Sequence, residues 1–104
     1  MLVHMTKTRY YRFLNNIANP LRISIIECLY SGKKSVGEMV VELKVEQSKL
    51  SHALSNMKCC RIVDVEQVGK NRYYSLNKDT IVPILKIIDK HAKKNCKNKC
   101  CFCE

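Results

Sequence analysis

Seven cysteines are the residues of this 104-residue chain with the clearest capacity for chemistry. Four of them lie within the stretch CKNKCCFCE, and these are Cys96, Cys100, Cys101 and Cys103. Cys100 and Cys103 form a C-x-x-C pair, and Cys59 and Cys60 are adjacent earlier in the chain. Thiolates are soft donors that select Zn(II), Cd(II), Cu(I) or As(III), and three or four converging sulfurs can hold one ion. These six cysteines therefore predict a site for a thiophilic metal or metalloid.

The same thiols are compatible with two alternatives. Oxidation to disulfides or persulfides would make them a redox switch, and a terminal segment rich in Lys and Asn can also be inert. Cys28 lies in an apolar helical pattern, so we expect it to fill space in the core. Seven is an odd number, which does not fit a complete set of intrachain disulfides.

The sequence has no feature of a membrane or secreted protein. No apolar run approaches the roughly 20 residues that a membrane span needs. The stretch MLVHMTKTRYYRF is broken by polar and charged residues, so it lacks the apolar core of a signal peptide. We therefore expect a cytoplasmic protein with no membrane partner, in a compartment where thiols usually stay reduced.

The charge balance favours a polyanionic partner. Nineteen Lys and Arg against nine Asp and Glu give a net charge of +10, which suits nucleic acid or an anionic surface. An enzyme is not expected, because the sequence has no phosphate-binding loop and no paired carboxylates at catalytic spacing. It also has no Cys-His couple whose proximity the spacing supports.

Hydrophobic periodicity predicts a mainly α fold with a small β-hairpin, in the order α-α-α-α-β-β-α. A first helix is expected from about Thr6 to Asn19, followed by a helix that Asn19 caps and Pro20 opens. Ser35 and Glu38 have the spacing of a capping box for the third helix. The fourth helix should run through about residue 59.

The second half of the pattern predicts a wing and a final helix. RIVDVEQV and RYYSLN are rich in β-branched and aromatic residues and are separated by GKN, which predicts a two-stranded hairpin. Asp79 or Thr80 should cap a last helix with a long apolar stripe. We divide the chain into a winged helix-turn-helix domain, 1–95, and a cysteine-rich tail, 96–104.

Two short helices joined by a tight turn and followed by a hairpin with a basic tip are typical of a winged helix-turn-helix. Polar groups able to meet base edges or phosphates occupy the fourth helix and the hairpin tip. Each alone would be a solvated surface residue, but their joint placement favours DNA binding. The candidates are Gln47, Ser48, Lys49, Ser51, His52, Asn56, Lys70, Asn71 and Arg72.

The stretches NPLRISII, SVGEM, QSKLSHAL and RYYSL occur in an order and spacing that resemble the ArsR/SmtB family of winged-helix repressors, over roughly residues 10–94. The resemblance implies a homodimer that binds a palindromic operator in double-stranded DNA without a cofactor and is released by an inducer. It also implies dimerisation through the first and last helices. The interface candidates are Tyr10, Phe13, Leu14, Ile81, Ile84, Leu85 and Ile88.

The two sensor sites that the resemblance implies lack their ligands in this sequence. SVGEM replaces the cysteine pair of the third helix, and only His91 matches at the zinc site of the last helix. Arg61 also stands where the family usually has glycine. The remaining sensor candidates are Cys59 and Cys60, together with the tail cysteines.

Two further hypotheses compete with a metal-responsive repressor. One keeps the DNA binding and makes the cysteines a redox or persulfide switch, or leaves the protein without an effector. The other, from a different class, is a thiol metal-buffer or protein-interaction module that does not bind DNA. Salt-dependent DNA affinity separates the second hypothesis from the others.

Overall fold

The computed structural model describes the backbone of residues 2–95 and the side chains from residue 8 onward. Along this part the elements are α1 Leu2–Asn15, α2 Pro20–Tyr30, β1 Lys34–Ser35, α3 Val36–Leu43, α4 Gln47–Cys59, β2 Val63–Val68, β3 Asn71–Leu76 and α5 Ile81–Asn95. The predicted mainly α fold is confirmed, with β1 as an additional strand. None of the described helices is long and apolar enough to cross a membrane.

Local capping residues set where α2 and α3 begin. The side chain of Asn19 accepts a hydrogen bond from the backbone N–H of Arg22, and Pro20 occupies the first turn of α2. At α3, the hydroxyl of Ser35 accepts from the backbone N–H of Glu38, whose carboxylate accepts from the backbone N–H of Ser35 at 2.9 Å. Both predicted caps are confirmed, because they depend only on neighbours in the sequence.

The wing is a three-stranded antiparallel sheet in the order β1-β3-β2. The pairing of β2 with β3 runs from Val63 opposite Leu76 to Val68 opposite Asn71. The predicted two-stranded hairpin of β2 and β3 is confirmed, and Lys34 and Ser35 add a short third strand on the other edge of β3. A strand of two residues is too short to show an alternating pattern in the sequence.

A single core lies between α2, α3, α4 and the sheet. Its fully buried side chains come from all of these elements, and they are Ile25, Met39, Leu50, Leu54, Met57, Ile62 and Val63. Helix α1 contributes partly buried Phe13, and α5 contributes buried Ile81 with partly buried Ile84 and Leu85. The core therefore fixes α4 and the sheet, whereas α1 and α5 keep much of their apolar surface outside it.

The first helix ends earlier than its apolar pattern predicted. The backbone N–H of Asn16 donates to the carbonyls of both Arg12 and Phe13, at 3.1 Å each, and that of Ile17 donates to Leu14 at 3.1 Å. The bonds to Phe13 and Leu14 reach back three residues instead of four and tighten the chain into a turn after Asn15. Ile17 still packs against the core, so the apolar pattern continues beyond the helix.

The end of α4 has the hydrogen bonds of a Schellman motif. The backbone N–H of Ile62 donates to the carbonyl of Met57 at 2.9 Å, and that of Arg61 donates to Lys58 at 3.0 Å. Arg61 has a φ of 59°, in the left-handed region that glycine usually occupies at this position. Residue 61, where the ArsR/SmtB family usually has glycine, therefore does have a left-handed backbone, although the residue here is an arginine.

Candidate nucleic-acid interface

One side of α4 is buried in the core, and the opposite side is exposed. Leu50, Leu54 and Met57 are fully buried, with Ala53 beside them, which fixes the rotation of the helix about its axis. The predicted DNA-binding residues Gln47, Ser48, Lys49, Ser51 and His52 are exposed, and Asn56 is half-buried. The fold thus brings these six side chains together on one helix.

Two hydrogen bonds organise the exposed face of α4. The hydroxyl of Ser48 donates to the carboxylate of Glu46 at 2.6 Å. The side-chain nitrogens of His52 and Asn56 lie 3.4 Å apart, one turn along the helix. Glu46 is the N-cap residue, but its side chain forms no capping bond. Glu46 was not among the predicted residues, and its negative charge lies among side chains suited to a polyanion.

The wing presents three further candidates at its tip. Gly69 has a φ of 63°, which fits a type II′ turn with glycine at its first central position. Lys70, Asn71 and Arg72 follow directly and are all exposed. Lys70 and Arg72 therefore place two positive charges at the tip of the hairpin. The strand β3 of this hairpin is held by its pairing with β1 and β2.

Contacts at the middle of the β2–β3 hairpin hold the wing against the body. The ammonium group of Lys33 lies 3.2 Å from the carboxylate of Glu66 on β2. It also lies 5.7 Å from the centre of the Tyr73 ring on β3, within the range of a cation–π contact. One side chain from the loop after α2 thus touches both long strands.

A polar cluster that no sequence pattern indicates lies at the C-terminal end of α4. Asn16 is buried, and its amide donates to the backbone carbonyl of Asn56 at 3.1 Å and to the sulfur of Cys60 at 2.8 Å. Its side-chain oxygen accepts from the guanidinium of Arg22. These residues are up to 44 positions apart in the chain, so no local pattern could reveal the cluster.

The candidate metal ligands divide into two groups. Cys59 and Cys60 are exposed and line a cavity of about 350 Å³ together with Arg12 and Arg22. Cys96, Cys100, Cys101 and Cys103 lie outside the described residues. Within the described part, no three His, Cys, Asp or Glu side chains are grouped closely enough to hold a metal ion.

Cys28 is buried, as predicted for a core residue. Burial is the main cause that raises the pKa of its thiol, and a hydrogen bond to Glu42 raises it further. Glu42 in turn lies 2.6 Å from the ammonium group of Lys34, and this contact lowers the pKa of the Glu42 carboxyl. Cys28 is thus held as a protonated thiol.

Apolar side chains remain exposed on the predicted dimerisation helices. Tyr10 is 62% exposed and Ile88 52% exposed, and Leu14 is similar. Phe13, Ile84 and Leu85 are partly buried. Ile81 is only 2% exposed and belongs to the core of the chain itself. Tyr11 and Ile87, which were not among the predicted interface residues, are also largely exposed on these helices.

Comparisons with known proteins found a matching sequence profile and similar proteins. Residues 19–65 match the sequence profile described as "Bacterial regulatory protein, arsR family". The transcriptional repressor SmtB homolog of Synechocystis is 26% identical over 83 residues, covering 80% of this chain and 63% of that protein. The nodulation protein NolR of Rhizobium meliloti is 32% identical over 73 residues, covering 70% and 60%. The chain spans about three fifths of the length of these curated relatives.

A solved structure has the same fold. The homodimeric winged helix-turn-helix DNA-binding domain Mb0332 of Mycobacterium bovis superposes with a TM-score of 0.79, at 17% identity, over 90% of this chain and 87% of that domain. The matched profile describes regulatory proteins rather than enzymes, in agreement with the expectation from the sequence. The matched profile covers α2, α3 and α4, and the chain belongs to the arsR family of bacterial regulatory proteins.

Proposed function

We propose that this protein binds double-stranded DNA as a homodimer and represses transcription. The observation that carries the proposal is the exposed polar face of α4, whose opposite side is locked into the core by Leu50, Leu54 and Met57. A helix held in this way can enter the major groove as a rigid unit. The net charge of +10 supplies the long-range attraction to phosphates.

The side chains of the proposed interface have different roles. Ser51, His52 and Asn56 carry hydrogen-bonding groups of the kind that read base edges in the major groove. Three side chains are positively charged and exposed, and these are Lys49, Lys70 and Arg72. They contact phosphates, which contributes to the affinity for DNA but not to the choice of base sequence. Gln47, Ser48 and Asn71 complete the surface. Glu46 restrains Ser48 and disfavours close approach of a phosphate at that point.

The homodimer is proposed from the apolar faces of α1 and α5. Tyr10, Leu14 and Ile88 are largely exposed in the single chain, and an apolar surface of this kind indicates an interaction site. A two-fold axis would present two copies of α4, so the operator is expected to be palindromic. Its half-sites should lie about one DNA turn, roughly 34–36 Å, apart.

The test begins with selection of bound duplexes from a random-sequence library, because it requires no knowledge of the operator. The affinity of the selected duplex is then measured by fluorescence anisotropy at low and moderate salt. We expect Ser51→Ala combined with His52→Ala to weaken binding by roughly tenfold or more. Ser31→Ala combined with His91→Ala, which removes the same residue types outside the interface, should leave it unchanged. Absence of any salt-dependent binding by the wild type would refute the proposal.

We also propose that a thiophilic metal or metalloid relieves repression by binding to cysteines. In support, Cys59 and Cys60 are exposed directly at the end of α4, where a bound ion would act on the DNA-reading helix. Two sulfurs are fewer than the three or four that a soft ion usually takes. The remaining donors would come from Cys96, Cys100, Cys101 and Cys103.

The metal proposal is tested on anaerobically purified full-length protein. Elemental analysis after exposure to Zn(II), Cd(II), Cu(I) or As(III) should give a stoichiometric complex. Replacing both Cys59 and Cys60 with serine should lower that stoichiometry, whereas Cys28→Ser should not. Equal metal content in all three proteins would assign the metal elsewhere and contradict the proposed role of Cys59 and Cys60.

A further inference from the structure

Glu46 is the acidic residue of the surface that is proposed to bind DNA. The helix that follows it, α4, contains no Asp or Glu, and the hairpin tip at residues 69–72 contains none either. None of the ion pairs formed within residues 8–95 includes Glu46. A negative charge that no neighbouring side chain neutralises therefore lies at the start of α4, in a chain whose net charge is +10.

The carboxylate of Glu46 retains most of its capacity to accept hydrogen bonds. Glu46 is the N-cap residue of α4, but its side chain makes no capping bond to the backbone. Within the described part of the chain, the carboxylate accepts one hydrogen bond, from the hydroxyl of Ser48 at 2.6 Å. A carboxylate has two oxygens and about four acceptor positions. Because Glu46 is exposed, a molecule that approaches α4 can donate to the positions that remain.

The backbone and the side chain of Glu46 are both held in place. Its backbone carbonyl accepts from the N–H of Leu50 at 3.1 Å, and Leu50 is fully buried. The first hydrogen bond of α4 thus ties Glu46 to the core, while Ser48 restrains the carboxylate. A group held in this way loses little conformational freedom on binding. The N-terminal residues of a recognition helix are also the ones that contact base edges.

The chemistry of a carboxylate limits what Glu46 can contact on DNA. Phosphates repel it, and it can accept but not donate hydrogen bonds. In the major groove, guanine presents the acceptors N7 and O6, and thymine presents the acceptor O4. Adenine presents its N6 amino group beside the acceptor N7, whereas cytosine presents the N4 amino group alone. Cytosine is therefore the base whose edge fits a carboxylate without a repelling acceptor on the same base.

We propose that Glu46 is a specificity-determining residue, which selects cytosine at one position of each operator half-site by accepting a hydrogen bond from the N4 amino group. At this position the carboxylate disfavours guanine and thymine. It also lowers the affinity for DNA of unrelated sequence, because no amino group there offsets its repulsion from phosphates. This inference rests on the proposed function, which brings α4 to the major groove, whereas the proposed function does not depend on Glu46.

The experiment compares base preferences among four full-length proteins, which are the wild type, Glu46→Gln, Glu46→Asp and Glu27→Gln. Each protein selects duplexes from a random-sequence library. Dissociation constants are then measured by fluorescence anisotropy for four duplexes that differ only at the cytosine position, and for one duplex of unrelated sequence. Urea titrations of the four proteins verify that each variant is folded.

The wild type should prefer cytosine over the other bases by roughly fivefold in each half-site. Replacing cytosine in both half-sites should weaken binding by roughly 25-fold, because well-separated base pairs contribute independently. Glu46→Gln should change the preference from cytosine to adenine, since glutamine pairs with N6 and N7 of adenine. This variant should also bind the unrelated duplex more tightly than the wild type does, because a charge that repels phosphates is removed.

The other two variants separate the reach of the side chain from its charge. Glu46→Asp keeps the negative charge, but aspartate is a preferred N-cap whose shorter side chain turns back to the helix backbone. Its preference for cytosine should therefore fall below about twofold, and its affinity for the unrelated duplex should stay within about twofold of the wild type. Glu27→Gln removes the same charge at an exposed position of α2 and should keep the base preferences of the wild type.

Identical base preferences in Glu46→Gln and the wild type would overturn the inference. So would a loss of cytosine preference in Glu27→Gln as large as the loss in Glu46→Gln. If the wild type binds selected duplexes in a salt-dependent manner but no cytosine position responds to residue 46, the proposed function stands and this inference fails. If none of the four proteins binds DNA, the proposed function fails and the inference fails with it.

Discussion

The side-chain amide of Asn77 donates a hydrogen bond to the backbone carbonyl of Arg61, 2.8 Å away. The backbone N–H of Asn77 also donates to the carbonyl of Ile62 at 3.0 Å, and its side-chain oxygen accepts from the backbone N–H of Asp79 at 3.0 Å. One asparagine thus joins the turn after α4 to the end of β3 and the approach to α5. Together with Asn16, it holds the C-terminal end of α4 from a second side.

Replacing Asn77 with alanine should destabilise the protein by about 1–2 kcal/mol, because two side-chain hydrogen bonds are lost. Asn77→Asp keeps the acceptor for Asp79 but loses the donor to Arg61, so it separates the two contributions. The measurement is the free energy of unfolding from urea titrations followed by circular dichroism. A loss below about 0.5 kcal/mol in Asn77→Ala would contradict a structural role for these bonds.

The free energy of unfolding of Arg61 variants should depend on how well each side chain tolerates a left-handed backbone. Glycine removes the Cβ strain but adds freedom to the unfolded chain, so Arg61→Gly should stay within about 1 kcal/mol of the wild type. Arg61→Val places a β-branched side chain at a φ of 59° and should destabilise by about 1–3 kcal/mol. Urea titrations of the two variants test this order. A valine variant as stable as the glycine variant would refute it.

Features fixed by neighbouring residues could be predicted from the sequence. The N-cap at Asn19, the capping box of Ser35 with Glu38 and the buried side of α4 all follow from local chemistry or helical periodicity. The separation of α4 into buried and exposed sides also placed the candidate DNA-binding residues on one surface. Those predictions needed no knowledge of distant contacts.

Features that depend on tertiary contacts could not be predicted in the same way. The strand β1 has two residues, and its identity rests on pairing with Tyr73 and Tyr74 far along the chain. The contact between Asn16 and Cys60 likewise spans 44 positions. Apolar periodicity also overestimated α1 at its C-terminal end, because Ile17 packs on the core from a turn rather than from the helix.

Cys28 should react slowly with alkylating agents. Burial and the hydrogen bond to Glu42 raise the pKa of its thiol, and the thiolate is the nucleophile. With iodoacetamide near neutral pH, we expect alkylation at least about tenfold slower than at exposed Cys59 and Cys60. Peptide mass spectrometry over a time course gives the rates. In concentrated urea the three rates should converge, and equal rates in the folded protein would contradict this environment.

Acid should destabilise the protein through Glu38 and Glu42. A hydrogen bond from the Ser35 backbone lowers the pKa of Glu38, and the contact with Lys34 lowers that of Glu42. Because both pKa values are lower in the folded state, the stabilisation is present above the unfolded-state pKa. It is lost as the pH falls through that value towards the folded-state pKa.

The pH dependence is measured as the urea midpoint between about pH 6 and pH 3. Glu38→Gln and Glu42→Gln should each flatten the fall in midpoint, because the charged form no longer contributes. Glu27→Gln, at an exposed position of α2, is the matched control and should keep the wild-type profile. If none of the three substitutions changed the pH profile, the carboxylates of Glu38 and Glu42 would not govern stability in acid.

An acidic substitution on α5 should separate the proposed dimer without unfolding the chain. Ile88 is 52% exposed, so Ile88→Asp removes little burial within one chain but places a charge in the proposed apolar interface, which is costly. Val68→Asp, on the wing at 49% exposure, is the matched control. Sedimentation velocity should give a monomer for Ile88→Asp and a dimer for Val68→Asp and the wild type, with unchanged circular dichroism. If Ile88→Asp remained dimeric, the interface would have to lie away from this face of α5, and the spacing of two α4 helices proposed for the operator would lose its basis.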